Sequence, residues 1–113
     1  MAILDTETNK VSKTVALNGE PTGVAWKADG SAVFVAELGA GTVAEVDPKG
    51  GKVNRRLNVG PRPVGLALAA KKNLLVVCNT GTDTVSIVNL ADGKEKARVA
   101  GFRAPFFACV TPD

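Results

Sequence analysis

The chain can be slid along itself by 42 residues without a gap. Residues 2–43 then lie over 44–85, and twelve positions are identical: Ala2/Ala44, Asp5/Asp47, Lys10/Lys52, Val11/Val53, Pro21/Pro63, Gly23/Gly65, Ala25/Ala67, Ala28/Ala70, Val35/Val77, Gly39/Gly81, Thr42/Thr84 and Val43/Val85. A second step sets Lys94 on Lys52 and Pro105 on Pro63, and Asp113 falls on the slot of Asp29. Such regularity means that each unit builds the same supersecondary element and buries its apolar faces against its neighbours. Residues 1–113 form one array, divided into units 2–43, 44–85 and 86–113.

Helical arrays share periods of this length, so the local pattern must decide. Each unit carries four apolar runs of strand length, bounded by Gly, Pro, Asn or Asp. In the second they are VGLALAA, LLVVCNT, TVSIVNL and EKARVAG. No window sustains a helical apolar stripe. VGLALAA alternates large with small residues and has no polar face, which suits a strand buried on both sides where space is tight. LLVVC is apolar throughout. KVNRRLNV mixes Val53, Leu57 and Val59 with Lys52, Arg55 and Arg56, as an outer edge strand does. Strands thus run from inner to outer, and a connection containing Pro21, Pro63 or Pro105 returns to the next inner strand. Asn9, Gly51 and Gly93 occupy one turn position that tolerates positive φ.

The fold expected is all-β: a β-propeller fragment of about two and a half to three four-stranded antiparallel blades. The runs predict eleven strands: two from the first partial unit, four, four, and a last one, PFFACVT. Propellers close with about four to eight blades, so the chain reads as a piece of a longer protein. Assembly of several copies into a ring and an open stack of blades are the alternatives.

Composition narrows the chemistry. There is no His, so His-ligated zinc or haem and a His-dependent triad are outside what this chain does alone. Cys78 and Cys109 form no CxxC or CxxCH motif and occupy small-residue slots, so buried free thiols are expected. The net charge of +3 is spread along the chain, which makes nucleic acid an unlikely partner. No apolar run reaches membrane-spanning length, and no secretory signal is visible.

Two segments, PTGVAWKADGSAVFVAELGAGTVAEVD (21–47) and PVGLALAAKKNLLVVCNTGTDTVSIVN (63–89), resemble the YVTN-repeat β-propellers, including the YncE-like group. The naming tetrapeptide is degenerate here, as Phe34-Val35-Ala36-Glu37 and Val76-Val77-Cys78-Asn79. The family's Pro-Asp-Gly turn survives as Ala28-Asp29-Gly30 and, truncated, as Pro112-Asp113. The resemblance implies a periplasmic or extracellular setting. It also implies either a binding scaffold or the propeller of a redox protein that accompanies a c-type cytochrome.

No catalytic residue, metal ligand or cofactor site is expected. Asp5, Asp47 and Asn89 read as side chains closing their own turns. Trp26, Phe34, Phe106 and Phe107 read as packing residues. The candidate ligand or partner face is the set of return loops with Glu20, Arg62 and Arg103, joined by the NTGTDT turn with Asn79 and Asp83. Arg62 and Arg103, on adjacent blades, suit an anionic ligand. The expected partners are a protein or small anion at this face and the remaining blades, in the same chain or in other copies.

Overall fold

Three antiparallel sheets follow one another along the chain. A computed structural model describes residues 1–111. The first sheet pairs β1 (Ala2–Asp5) with β2 (Lys10–Thr14). The second holds β3 (Pro21–Trp26), β4 (Val33–Glu37), β5 (Thr42–Asp47) and β6 (Lys52–Asn58) in chain order. The third repeats it with β7 (Pro63–Ala69), β8 (Leu74–Asn79), β9 (Thr84–Asn89) and β10 (Lys94–Val99). Short 3-10 turns at Ala70–Lys72 and Thr80–Thr82 are the helical content of the described residues.

The period survives in the hydrogen bonds. Val35 stands opposite Ala44 and Val77 opposite Ser86, in matching registers. The Leu38 N–H donates to the Glu20 carbonyl at 2.8 Å, and the Thr80 N–H donates to the Arg62 carbonyl at 3.1 Å. In the outer hairpins, Asp5, Asp47 and Asn89 each accept a backbone N–H two residues on at 2.9 Å, as expected of turn-closing side chains. Asn9, Gly51 and Gly93 have φ of 56°, 69° and 73°.

The middle sheet is covered on both faces, which explains the unbroken apolar run of β4. Val33, Val35, Ala44 and Val46 pack toward the first sheet with Val15 and Ile3. On the opposite face Phe34, Val43 and Leu57 meet Leu75, Val77, Val88 and Leu90 of the third sheet. Alternate side chains of one strand thus enter different cores. Each large fully buried side chain contributes about 2 kcal/mol. Arg55 ties the same two sheets at their outer ends, donating to the Leu90 carbonyl at 2.7 Å and to Glu45 at 2.9 Å.

Backbone approaches more closely than side chains would permit between β3 and β7, and between β7 and the segment carrying Phe106. A Cβ on Gly23 would lie 2.0 Å from the Val64 carbonyl oxygen, and one on Gly65 would lie 2.2 Å from the Phe106 carbonyl oxygen. Glycine therefore recurs there to let backbone meet backbone.

Several expectations need correction. The strand expected over 105–111 is absent: the chain is irregular from residue 100 to 111, and the described residues form ten strands, not eleven. A strand needs a ladder partner, and no described strand pairs in register with 105–111. Phe34 is fully buried, but Trp26, Phe106 and Phe107 are 51%, 53% and 86% exposed. Trp26 and Val24 sit one period before Leu68 and Leu66, which pack against the core shared by the second and third sheets. The first sheet has no inner strands among the described residues to cover Trp26 and Val24 in the same way. Cys78 is buried and free as expected, whereas Cys109 is free but exposed. The truncated turn at Pro112-Asp113 lies outside the described residues.

Candidate functional site

The return loops and the turns between the second and third strands of each blade meet along one rim. Their backbones are zipped together by the Leu38–Glu20 and Thr80–Arg62 hydrogen bonds, and the Gly81 N–H reaches the Pro61 carbonyl at 3.3 Å. The Thr80 hydroxyl continues the zip by donating to the Pro105 carbonyl at 2.6 Å. These bonds satisfy loop backbone that otherwise needs water.

Glu20, Arg62, Arg103 and Asp83 are all exposed on these segments. Arg62 adopts φ of 53° and Asp83 φ of 55°. Asp83 accepts the Ala104 N–H at 2.7 Å, which fixes the loop carrying Arg103 to the neighbouring turn. A shallow cleft of about 440 Å3 lies beside Arg62, bounded by Leu38, Gly41, Val59 and Pro61. The rim is thus a fixed backbone frame with outward charges.

Asn79 does not join it. Its side chain is fully buried and completely engaged: Oδ1 accepts the Gly60 N–H at 3.1 Å, and Nδ2 donates to Ser86 at 2.8 Å and to Thr84 at 3.2 Å. Asn79 positions the return loop from beneath and is not available to a ligand.

Sequence reading missed a buried charge under the preceding loop. Glu37 is fully buried and accepts from the Asn18 N–H at 2.6 Å, the Thr42 hydroxyl at 2.6 Å and Arg56 at 3.0 Å. Burial pushes its carboxyl up, but the hydrogen bonds from Arg56, Thr42 and Asn18 more than offset this and hold it below the usual carboxylate value. One period on, the charge has moved outward. Ser86 donates to Glu95 at 2.8 Å, and Glu95 pairs with Arg98 at 2.8 Å. The available signal was that Glu37 and Arg56 align with Asn79 and Arg98, all polar positions at strand ends or edges.

A second, apolar cleft of about 340 Å3 lies where the inner strands converge, between Val24, Leu66 and Phe106. Among the described residues no cluster of three or more His, Cys, Asp or Glu could hold a metal ion. No helix among them is long and apolar enough to cross a membrane.

Stacked four-stranded sheets with converging inner strands and a loop rim define a β-propeller, and solved structures agree. The chain is similar to Kuenenia stuttgartiensis hydrazine synthase, with a TM-score of 0.79 and 25% identity over 90% of this chain and 29% of that one. It is similar to the Myceliophteria thermophila Cps50 (Swd1) β-propeller domain, with a TM-score of 0.78 and 26% identity over 91% of this chain and 32% of that one. The chain therefore spans about a third of the length of these structures. No protein-family model matches it, and the search of curated proteins found no match.

Proposed function

We propose that the chain is a blade array of a larger, extracytoplasmic YVTN-repeat propeller of the YncE-like kind, acting as a non-catalytic binding scaffold. The observation that carries this reading is the rim. Its backbone is fixed by loop-to-loop hydrogen bonds, while Glu20, Arg62, Asp83 and Arg103 remain exposed. A rigid frame with free polar side chains suits recognition, since little ordering cost attends binding. The buried Glu37 and Glu45 and the half-buried Glu95 are instead each spent on an arginine. Arg62 and Arg103 favour an acidic partner.

Titration of isotope-labelled protein with a hexa-aspartate peptide tests this. Amide shifts confined to residues 60–63 and 101–104, and abolished in Arg62→Glu/Arg103→Glu, are expected. Shifts spread over the sheets, or unchanged by the double substitution, would refute it.

A second reading has the likeness to hydrazine synthase behind it, because that protein is by name an enzyme. Here the chain is the propeller portion of a redox protein associated with a c-type cytochrome, and the catalytic centre lies outside residues 1–113. A visible haem spectrum in the intact parent protein is the outcome this reading expects.

A further inference from the structure

Asp83 and Ala104 make a contact whose counterpart one period earlier lacks its acceptor. The Asp83 carboxylate accepts the Ala104 N–H at 2.7 Å. The equivalent positions are Gly41 and Arg62. The backbone turns alike at both places: φ is 68° at Gly41 and 55° at Asp83, and 53° at Arg62 and 42° at Ala104. Glycine has no carboxylate to offer, and among the described residues nothing accepts the Arg62 N–H. Gly41 and Arg62 instead border the cleft of about 440 Å3. Beyond its chain neighbours, a Cβ on Gly41 would meet nothing nearer than the Gly60 carbonyl oxygen, at 3.7 Å. Arg62 is exposed and, among the described residues, belongs to no ion pair. Its stem rests on the next turn, where a Cβ on Gly81 would lie 3.1 Å from the Arg62 Cβ and Cγ.

We propose that this cleft is a carboxylate site. A carboxylate from outside the chain takes the place that the Asp83 side chain fills in the following unit. It accepts the Arg62 N–H and pairs with the guanidinium, a charge-assisted arrangement that arginine favours. The ligand class is a carboxylate on a short free stem, as in acetate or an aspartate side chain. Leu38, Val59 and Pro61 on the cleft wall suit that stem. One loop of the rim therefore carries its own acid, and the preceding loop takes one from a ligand. This inference rests on the rim being the recognition face, and it names the place on the rim that receives the acid.

The test titrates isotope-labelled wild type, Arg62→Gln and Gly41→Asp with sodium acetate, and with acetamide as the neutral control, at constant ionic strength. The readout is the amide proton of residue 62, which a carboxylate acceptor moves downfield. In wild type acetate should move it saturably and acetamide should not. Arg62→Gln keeps the N–H but loses the charge, and should bind acetate about ten-fold more weakly. Gly41→Asp supplies the carboxylate from within, so its residue 62 amide should start downfield and no longer respond to acetate. Aspartate tolerates this backbone, as Asp83 does one period on. Should that variant not fold, wild type and Arg62→Gln decide the matter. No saturable shift at residue 62 in wild type, an equal response to acetamide, or undiminished binding in folded Gly41→Asp overturns the proposal. Hexa-aspartate binding that bypasses residue 62 would also overturn it while leaving the rim reading intact. Acetate binding at residue 62 without hexa-aspartate binding would uphold the cleft and end the acidic-partner reading.

Discussion

Glu37 and Asn79, one period apart, hold the same object from the same place. The carboxylate of Glu37 accepts the Asn18 N–H, and the amide oxygen of Asn79 accepts the Gly60 N–H. Asn18 and Gly60 are themselves one period apart, each on a loop leading to an inner strand. One position uses a charge and the other a neutral amide, so the surroundings differ. Glu37 recruits Arg56, whereas Asn79 spends its N–H groups on Thr84 and Ser86. Glu37→Ala should therefore cost about 3 kcal/mol, because it orphans a loop N–H, a hydroxyl and an arginine together. Glu37→Gln keeps the acceptor and should cost about 1 kcal/mol. Urea unfolding of the two variants against wild type measures both.

The same carboxylate makes stability depend on acid. The folded state holds Glu37 below its ordinary value of 4.5, and Glu95 is likewise lowered, chiefly by Arg98 and then by Ser86, against the opposing effect of burial. A lowered folded value means that the unfolded chain takes up protons first. The stabilisation is then complete above about pH 5 and is lost as the pH falls through the folded-state values. Wild type should lose unfolding free energy progressively below about pH 5. Glu37→Gln should show a shallower slope over the same range, measured as urea midpoints at a series of pH values. An identical slope in the variant would mean that Glu37 contributes nothing to the acid response.

Much of this architecture was readable from the period. A repeat locates strand order wherever small residues, charges and turn formers keep their places, so Gly65 could be assigned to a crowded inner strand and Arg55 to an outer one. The turn role of Asp5, Asp47 and Asn89 was equally local, since each partner is two residues away. What stayed hidden depends on which neighbours are present and on which way a strand-end side chain turns. Asn79 ends β8 just before the turn that carries the exposed Asp83, but its side chain turns inward onto Ser86. Trp26, Phe106, Phe107 and Cys109 are core residue types in positions that the described residues leave exposed, and type alone does not reveal that. Glu37 stood in an apolar run with its arginine two strands away, beyond any local pattern.

Close approach of the inner strands makes a sharp prediction at glycine. Gly65→Ala should destabilise by about 2 kcal/mol, because the new methyl meets the Phe106 backbone carbonyl and forces that segment away from β7. Gly23→Ala should do the same at the preceding junction. Neither residue has a positive φ, so the loss would report crowding and not backbone strain. Thermal melts of both variants should fall by several degrees. A melting temperature equal to that of wild type in either would show that the strands are not in backbone contact.

Arg55 links the second and third sheets through a fork. One nitrogen pairs with Glu45 and another with the Leu90 carbonyl. Arg55→Lys keeps the charge but has a single ammonium, which cannot reach both partners in the fixed geometry of a guanidinium. The side chain is one-third exposed, so the pair with Glu45 is partly screened and accounts for the smaller share. Arg55→Lys should cost about 1 kcal/mol, and Glu45→Gln less than that. In a double-mutant cycle, a coupling near zero between positions 45 and 55 together with a persistent loss in Arg55→Lys would assign the stabilisation to the bond across the sheets.

The two cysteines should separate cleanly in a thiol titration. Cys78 is buried on β8 and burial pushes its thiol up, so the reactive thiolate is both rare and shielded. Cys109 is exposed on the irregular segment beyond the third sheet. In native buffer an aromatic disulfide reagent should therefore release one equivalent of chromophore promptly, and Cys109→Ser should abolish that fast phase. In denaturant the wild type should release two equivalents. Prompt release of two in native buffer would place Cys78 within reach of solvent and contradict the packing of β8 between its neighbours.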